Sequence, residues 1–345
     1  MMYPNPYSRT PGDIDVWVNA SREEITEYAK THFEIGDDIR FHHLETSFDG
    51  VPVELHFFPG IMNNPIYNAR LQKWFKRNAD LQCSNVVSLP DSIGEIAIPT
   101  TAFNVIYQLT HLYHHFFDEG IGMRQIIDYY YVVCDFYKVY QNSSKTHPSS
   151  LTLKGGSTST PSPSSSEGGD VTALRCSEPL RSKDGGPSKV SPGCAGWDRL
   201  DGSGDMTSDA SASSASTTDS SASTALDVVQ SDLKHLGFWK FAGAVMYVLK
   251  EVLGLSEDKM IVPMDEKRGR LLLAEILNGG NFGRHFTKYA GFTHQSMGKK
   301  YFLKIWRNMH FVRYYPAEAL CEPLFRTWHF FWRLKHRRQS LGVFS

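Results

Sequence analysis

Arg9-Thr10-Pro11-Gly12-Asp13-Ile14-Asp15-Val16-Trp17-Val18 is the stretch from which the fold is read. Ile14, Val16 and Val18 interleave with Asp13, Asp15 and Trp17, the period-2 pattern of a half-buried strand. Residues two apart on a strand project to the same side. The pattern therefore predicts Ile14 and Val16 against a core and the carboxylates of Asp13 and Asp15 together on the other face. Two like charges held side by side repel. A divalent cation removes that conflict, and hard oxygen ligands suit Mg2+ or Mn2+. By itself a D-x-D pair is common on exposed strands and turns, so a solvated face is its plainer reading.

Moving outward, Ser21 followed three residues later by Glu24 has the form of a capping box opening a helix over 23–32. Ile39–Phe48 and Val51–Phe58 read as two strands joined at Asp49-Gly50, a strong two-residue hairpin signal. In the second of these, Val53, Leu55 and Phe57 are predicted to face a core, which puts Glu54 and His56 on the opposite face. Should this strand lie beside the first, Asp13, Asp15 and Glu54 would converge on one metal site. A basic helix over 68–78 completes a small α/β unit over residues 1–98.

Beyond Pro99 the periodicity changes to three and four. Helices are predicted over 101–115, 123–139, 238–253, 267–278, 302–314 and 323–337, with Gly254 and Gly279-Gly280 as helix stops. The fold class expected is thus α+β: a small mixed sheet followed by an all-α unit made of residues 99–141 and 226–345. Between these two parts lies 142–225, dominated by Ser, Thr, Gly, Pro, Asp and Ala. Trp197 is its sole aromatic residue, in a chain with 7 Trp, 16 Tyr and 21 Phe. Such a stretch has too little apolar surface to offset the entropy of ordering, and it is expected to be a disordered insert.

The whole chain of 345 residues is 41% hydrophobic and carries a net charge of −1, which makes a long nucleic acid an unattractive partner. No run approaches the roughly 18 apolar residues of a membrane span. The opening Met-Met-Tyr-Pro-Asn-Pro-Tyr shows no secretory signal. Five scattered cysteines without C-x-x-C spacing fit a reducing, cytoplasmic setting rather than a zinc ribbon or a disulfide scaffold.

Tyr3-Pro4-Asn5-Pro6, Arg9 and the Gly12–Val18 strand together resemble the active-site entry of nucleotidyltransferases related to DNA polymerase beta. More narrowly they resemble a largely uncharacterised bacterial group common in gut Bacteroidales. The resemblance continues through Val51–Phe57, through His111 and Phe116–Asp128, and through Gly280-Asn281-Phe282-Gly283. It implies that Asp13, Asp15 and Glu54 are catalytic and hold Mg2+ or Mn2+, for transfer of a nucleotide from an NTP to a small-molecule or macromolecular acceptor. One metal would bind the triphosphate, and a second, bridged to Glu54, would activate the acceptor hydroxyl. Members of that superfamily usually carry Gly-Gly or Gly-Ser on a helix upstream of the D-x-D strand; none stands among the twelve residues before Asp13. Two readings of this departure stay open, a late start of the chain or loss of part of the nucleotide site. The second keeps a catalytically degenerate binding or regulatory module as an alternative.

Arg9, Gly12, His56, His111, Arg124 and Asp128 are the further candidates for nucleotide or substrate binding. Arg9 suits a phosphate or a structural ion pair, and Arg124 suits the cleft or an intrahelical pair with Asp128. His111 and His115, four apart, share a helix face, and with Asp118 and Asp128 they suggest a second alternative, a helical His/Asp metal phosphohydrolase. Their aromatic neighbours point instead to packing. The Phe325–Trp332 aromatic run is likewise expected to pack against neighbouring helices rather than to stack a base.

Overall fold

The computed structural model describes residues 3–9, 12, 14–145, 222–280 and 297–341. Asp13, Asn281, Phe282, Gly283 and residues 146–221, Trp197 among them, lie outside the described residues. The order of elements is β1 (Ile14–Trp17), α1 (Arg22–His32), β2 (Glu34–Ile39), β3 (His43–Phe48), β4 (Val51–His56), α2 (Pro65–Ser84), β5 (Val86–Ser88) and β6 (Glu95–Ala97). Then come α3 (Thr101–Asp118), α4 (Met123–Lys145), α5 (Ala222–His235), α6 (Trp239–Leu253), α7 (Glu266–Gly279), α8 (Met297–Met309) and α9 (Pro316–Leu341). The architecture is α+β, a small mixed sheet with a large helical layer. None of the described helices is long and apolar enough to cross a membrane.

Local signals set several elements. Ser21 caps α1 by accepting from the Glu24 N–H, and the Glu24 carboxylate accepts from the Ser21 N–H at 2.8 Å, so two otherwise unpaired donors are satisfied reciprocally. The β3–β4 hairpin turns at Asp49 (φ 50°) and Gly50 (φ 76°); both central residues lie in the left-handed region, as a type I′ turn demands. β1 is parallel to β4 and β3 is antiparallel to both β2 and β4, giving the order β1-β4-β3-β2. The strand predicted over 39–48 is split: β2 ends at Ile39, and the His42 carbonyl turns inward to accept from the Phe57 and Phe58 N–H groups. β2 is an edge strand containing Gly36, Asp37 and Asp38, which hid it from a search for apolar alternation.

One face of the sheet is apolar. Leu44, Val53, Leu55 and Phe57 pack there against Ile25 and Ala29 of α1. The expectation that Ile14 and Val16 join this core is corrected by the structure. They are 48% and 38% exposed, because β1 sits at the sheet edge. A much larger core unites α2 with the helices that follow. Leu71, Trp74 and Phe75 belong to it with Phe103, Phe116, Phe117, Phe241 and Phe311, and Trp17 at the end of β1 packs against it. By packing, α2 therefore sides with the helical layer. Helix α4 extends to Lys145 and α5 starts at Ala222, so the described helices include both ends of the Ser-rich stretch.

One contact ties the sheet to the helical layer, and another ties helices within that layer. Trp328 and Trp332 of α9 meet Phe41 edge-on at 5.0 and 5.6 Å, with the Arg22 guanidinium over Trp332. The expected packing role of the aromatic run holds for Trp332, whereas Trp328 touches Phe41 yet stays exposed, as do Phe330 and Phe331. Arg307 and Asn308 of α8 donate to the carbonyls of Phe116 and Phe117, which the end of α3 leaves without a partner inside the helix.

Candidate functional site

Strand register builds the polar face of the sheet. Counting outward from Asp49-Gly50 pairs Glu45 with Glu54 and His43 with His56, while the parallel pairing sets Asp15 beside Glu54. Paired residues share a face, so Asp15, Glu54, His56, His43 and Glu45 all project opposite the Val53–Leu55 core. That face forms one wall of a cleft of about 440 Å³. The other wall comes from His111, His114, His115 and Asp118 of α3 and from Arg124 and Asp128 of α4, with Arg9 and Gly12 at the rim.

His56 occupies the centre. Its Nε2 lies 2.9 Å from Asp15 Oδ1 and 3.3 Å from Glu54 Oε2, and its Nδ1 lies 3.3 Å from the carbonyl of Phe58. Burial disfavours the imidazolium, but the hydrogen bonds and charges of the two carboxylates outweigh it and lift the His56 pKa to about 9. Asp15 feels burial in the opposite sense. The hydrogen bond from His56 and the charges of His56, His111 and His43 still hold its carboxyl below the usual range. His43 contrasts with His56: burial, and then repulsion from His56 and Arg40, drives its pKa down to about 3. Burial likewise takes His114 and His115 to about 4.

The predicted site residues have the following places. Asp15 and Glu54 come together around His56. Asp13 lies outside the described residues, so its position relative to them is not part of the geometry. Arg9 is engaged with Asp128 through Nε at 3.0 Å and Nη2 at 3.2 Å, and Tyr3 donates its hydroxyl to the same carboxylate. Arg9 thus takes the ion-pair role, and the intrahelical Arg124–Asp128 pair does not form. Arg124 Nε is buried in the cleft without a hydrogen-bond partner. A Cβ at Gly12 would sit 3.6 Å from Arg124 Nη2, an ordinary contact, so this segment lies against the guanidinium. His111 and His115 meet each other through Nε2 atoms 3.0 Å apart. Among the described residues, the His, Cys, Asp and Glu side chains close enough to share an ion are His43, Glu54 and His56 on the sheet. The α3 histidines of the phosphohydrolase reading are not among them.

His42, His43, Glu45 and Arg40 were missed by the sequence reading. A signal for two of them existed: once Asp49-Gly50 is accepted as a two-residue turn, register alone places Glu45 opposite Glu54 and His43 opposite His56.

Fold and cleft together define an α+β protein whose sheet offers an acidic, histidine-bearing face to a helical wall. Over residues 1–139, which hold every candidate site residue named above, the chain matches the model of a family described as an uncharacterised nucleotidyltransferase. No curated protein and no solved structure matches the chain.

Proposed function

We propose that this protein is a divalent-metal-dependent nucleotidyltransferase that moves a nucleotide from an NTP to an acceptor hydroxyl. The observation that carries the reading is the pairing of Asp15 with Glu54 on adjacent parallel strands, both reaching toward one nitrogen of His56, inside the stretch that matches the family. Two carboxylates aimed at one point make a position suited to positive charge, and a divalent cation fits that donor chemistry. Asp13, Asp15 and Glu54 would hold it. When bound, Mg2+ or Mn2+ offsets triphosphate charge and lowers the pKa of the attacking hydroxyl.

The chain's own residues do the rest. Arg124 lines the cleft with no carboxylate among the described residues paired to its guanidinium, which can donate to a phosphate oxygen there. The Arg9–Asp128 pair, reinforced by Tyr3, fixes the N-terminal segment against α4 and closes that rim. His111 lines the far wall opposite the acids. Positioning and charge stabilisation account for most of the rate in such transfers, and these groups supply both. The acceptor is a small hydroxyl-bearing molecule or a macromolecular hydroxyl; the net charge of −1 argues against a long nucleic acid.

The test is an Asp13→Ala/Asp15→Ala double variant, assayed for nucleotide transfer and titrated with Mg2+–NTP by calorimetry. The reading expects loss of both transfer and metal-dependent binding with an unchanged circular dichroism spectrum; retained turnover overturns it. One observation favours a second reading. His56, protonated between the two acids, already supplies a cation, as a degenerate module binding its ligand without metal would need. Nucleotide binding indifferent to Mg2+ would select that alternative.

A further inference from the structure

We propose that His43, Glu54 and His56 form a site for a transition-metal ion of the Zn2+ kind. This deepens the transferase reading, since Glu54 belongs to both, but the site's own existence rests on the histidines.

The geometry is that of ligands around an ion. His43 Nδ1 lies 3.0 Å from Glu54 Oε2, His56 Nε2 lies 3.3 Å from the same oxygen, and Asp15 Oδ1 lies 2.9 Å from His56 Nε2. Donor atoms spaced about 3.3 Å apart surround a tetrahedral ion with bonds of about 2.0 Å. Spacings near 3.0 Å would also fit an octahedral ion, so the distances admit both geometries and the donor chemistry chooses between them. Two imidazole nitrogens and a carboxylate suit Zn2+, whereas Mg2+ takes carboxylate and water oxygens. Three protein ligands would leave a fourth position for water or substrate, and Asp15 lies 2.9 Å from one of the three donor atoms.

Two observations separate this site from an ordinary acid–histidine cluster. His56 Nδ1 faces the Phe58 carbonyl, an acceptor that would hold the ring in the orientation a metal-bound histidine needs once an ion displaces the Nε2 proton now shared with Asp15. His43 is the stronger one. Its side chain is 8% exposed, yet neither ring nitrogen has a hydrogen-bond partner. Its Nδ1 stands 3.0 Å from the Glu54 oxygen without hydrogen-bond alignment. A buried imidazole left unpaired is costly, and a proton on His56 does nothing to satisfy it. An ion between His43 Nδ1 and Glu54 would give that nitrogen and the carboxylate oxygen a common partner.

The experiment uses the full chain, stripped with a chelator and titrated with Zn2+ by competition against a metal-binding dye. Co2+ serves as a spectroscopic probe. The expected result is one ion per chain, a visible Co2+ ligand-field band, and at least tenfold weaker binding in both His43→Ala and His56→Ala, with exposed His32→Ala as the unaffected control. Binding unchanged in both site variants overturns the proposal. Should a variant fail to fold, Co2+ broadening of the His43 and His56 ring signals in the unmodified chain decides it, and absence of broadening counts against the site. Zn2+ binding without any metal-dependent NTP binding would leave this site standing and remove the transferase reading. Mg2+–NTP binding with no Zn2+ or Co2+ site would do the reverse.

Discussion

Glu318 of α9 is buried, and its carboxyl accepts from the backbone N–H groups of Asn63 and Asn64. Burial is the largest influence on it and, with the nearby Glu322, raises its pKa from 4.5 to about 7 against the opposing pull of those hydrogen bonds. Between these two values the folded chain binds more protons at this site than the unfolded chain. Stability therefore falls as pH rises through that window. The contribution is at most about 3 kcal/mol, and Glu318→Gln should flatten the slope; parallel denaturant titrations across the window measure it. Arg124 gives a second expectation at this scale. A charge-assisted hydrogen bond to phosphate is worth about 1.5–3 kcal/mol, so Arg124→Ala should weaken NTP affinity by about tenfold or more in calorimetry. The candidate residues were legible one by one because acids and basic groups on short strands and amphipathic helices stand out. What each touches was not: Arg9 meets Asp128 across 119 positions of sequence, a pairing set by how α4 lies over the N-terminal segment.

The hairpin is the element on which the site depends, because its turn sets the register of Glu45 with Glu54 and His43 with His56. Gly50→Ala forces a Cβ onto φ 76°, at a cost of about 1 kcal/mol. A lower denaturant midpoint with an unchanged m-value is the expected result. Ser21→Ala should cost about 1 kcal/mol through loss of the α1 cap, with far-UV circular dichroism reporting the same helix content. Both features were read directly from the sequence, since a turn or a cap is completed by residues within three positions of one another. The parallel partnership of β1 with β4 was left open by the same reading. A hairpin is joined by its own turn, whereas β1 reaches β4 only after α1, β2 and β3 have been laid down.

Across the whole molecule, Asp118 at the end of α3 holds Lys304 of α8 at 3.0 Å and Arg326 of α9 at 2.7 Å. Burial would raise its pKa, but the charges of those two residues hold the carboxyl well below the usual range. Asp118→Ala should destabilise the chain by about 2 kcal/mol, between the value of an exposed pair and that of a fully buried one. The loss should be visible as a lower thermal midpoint and faster proteolysis of the α8–α9 segment. This network also backs the helical wall of the cleft, so the variant should weaken NTP binding less than Arg124→Ala does.

The amino-acid order by itself determined the features closed by short-range hydrogen bonds and periodicity: the α1 cap, the Asp49-Gly50 turn, the glycine stops after α6 and α7, the shift from a sheet to a helical unit, and the acids of the polar face. Only the tertiary structure decided that Glu54 stands beside Asp15 with His56 between them, that His43 joins them, and that Arg9 is spent on Asp128 while Arg124 stays open. It also decided that Ile14 and Val16 lie on an edge instead of in a core. The reason is physical. A residue's side of a strand follows from the geometry of its own backbone, but the groups it meets there depend on which faces the long-range packing brings together.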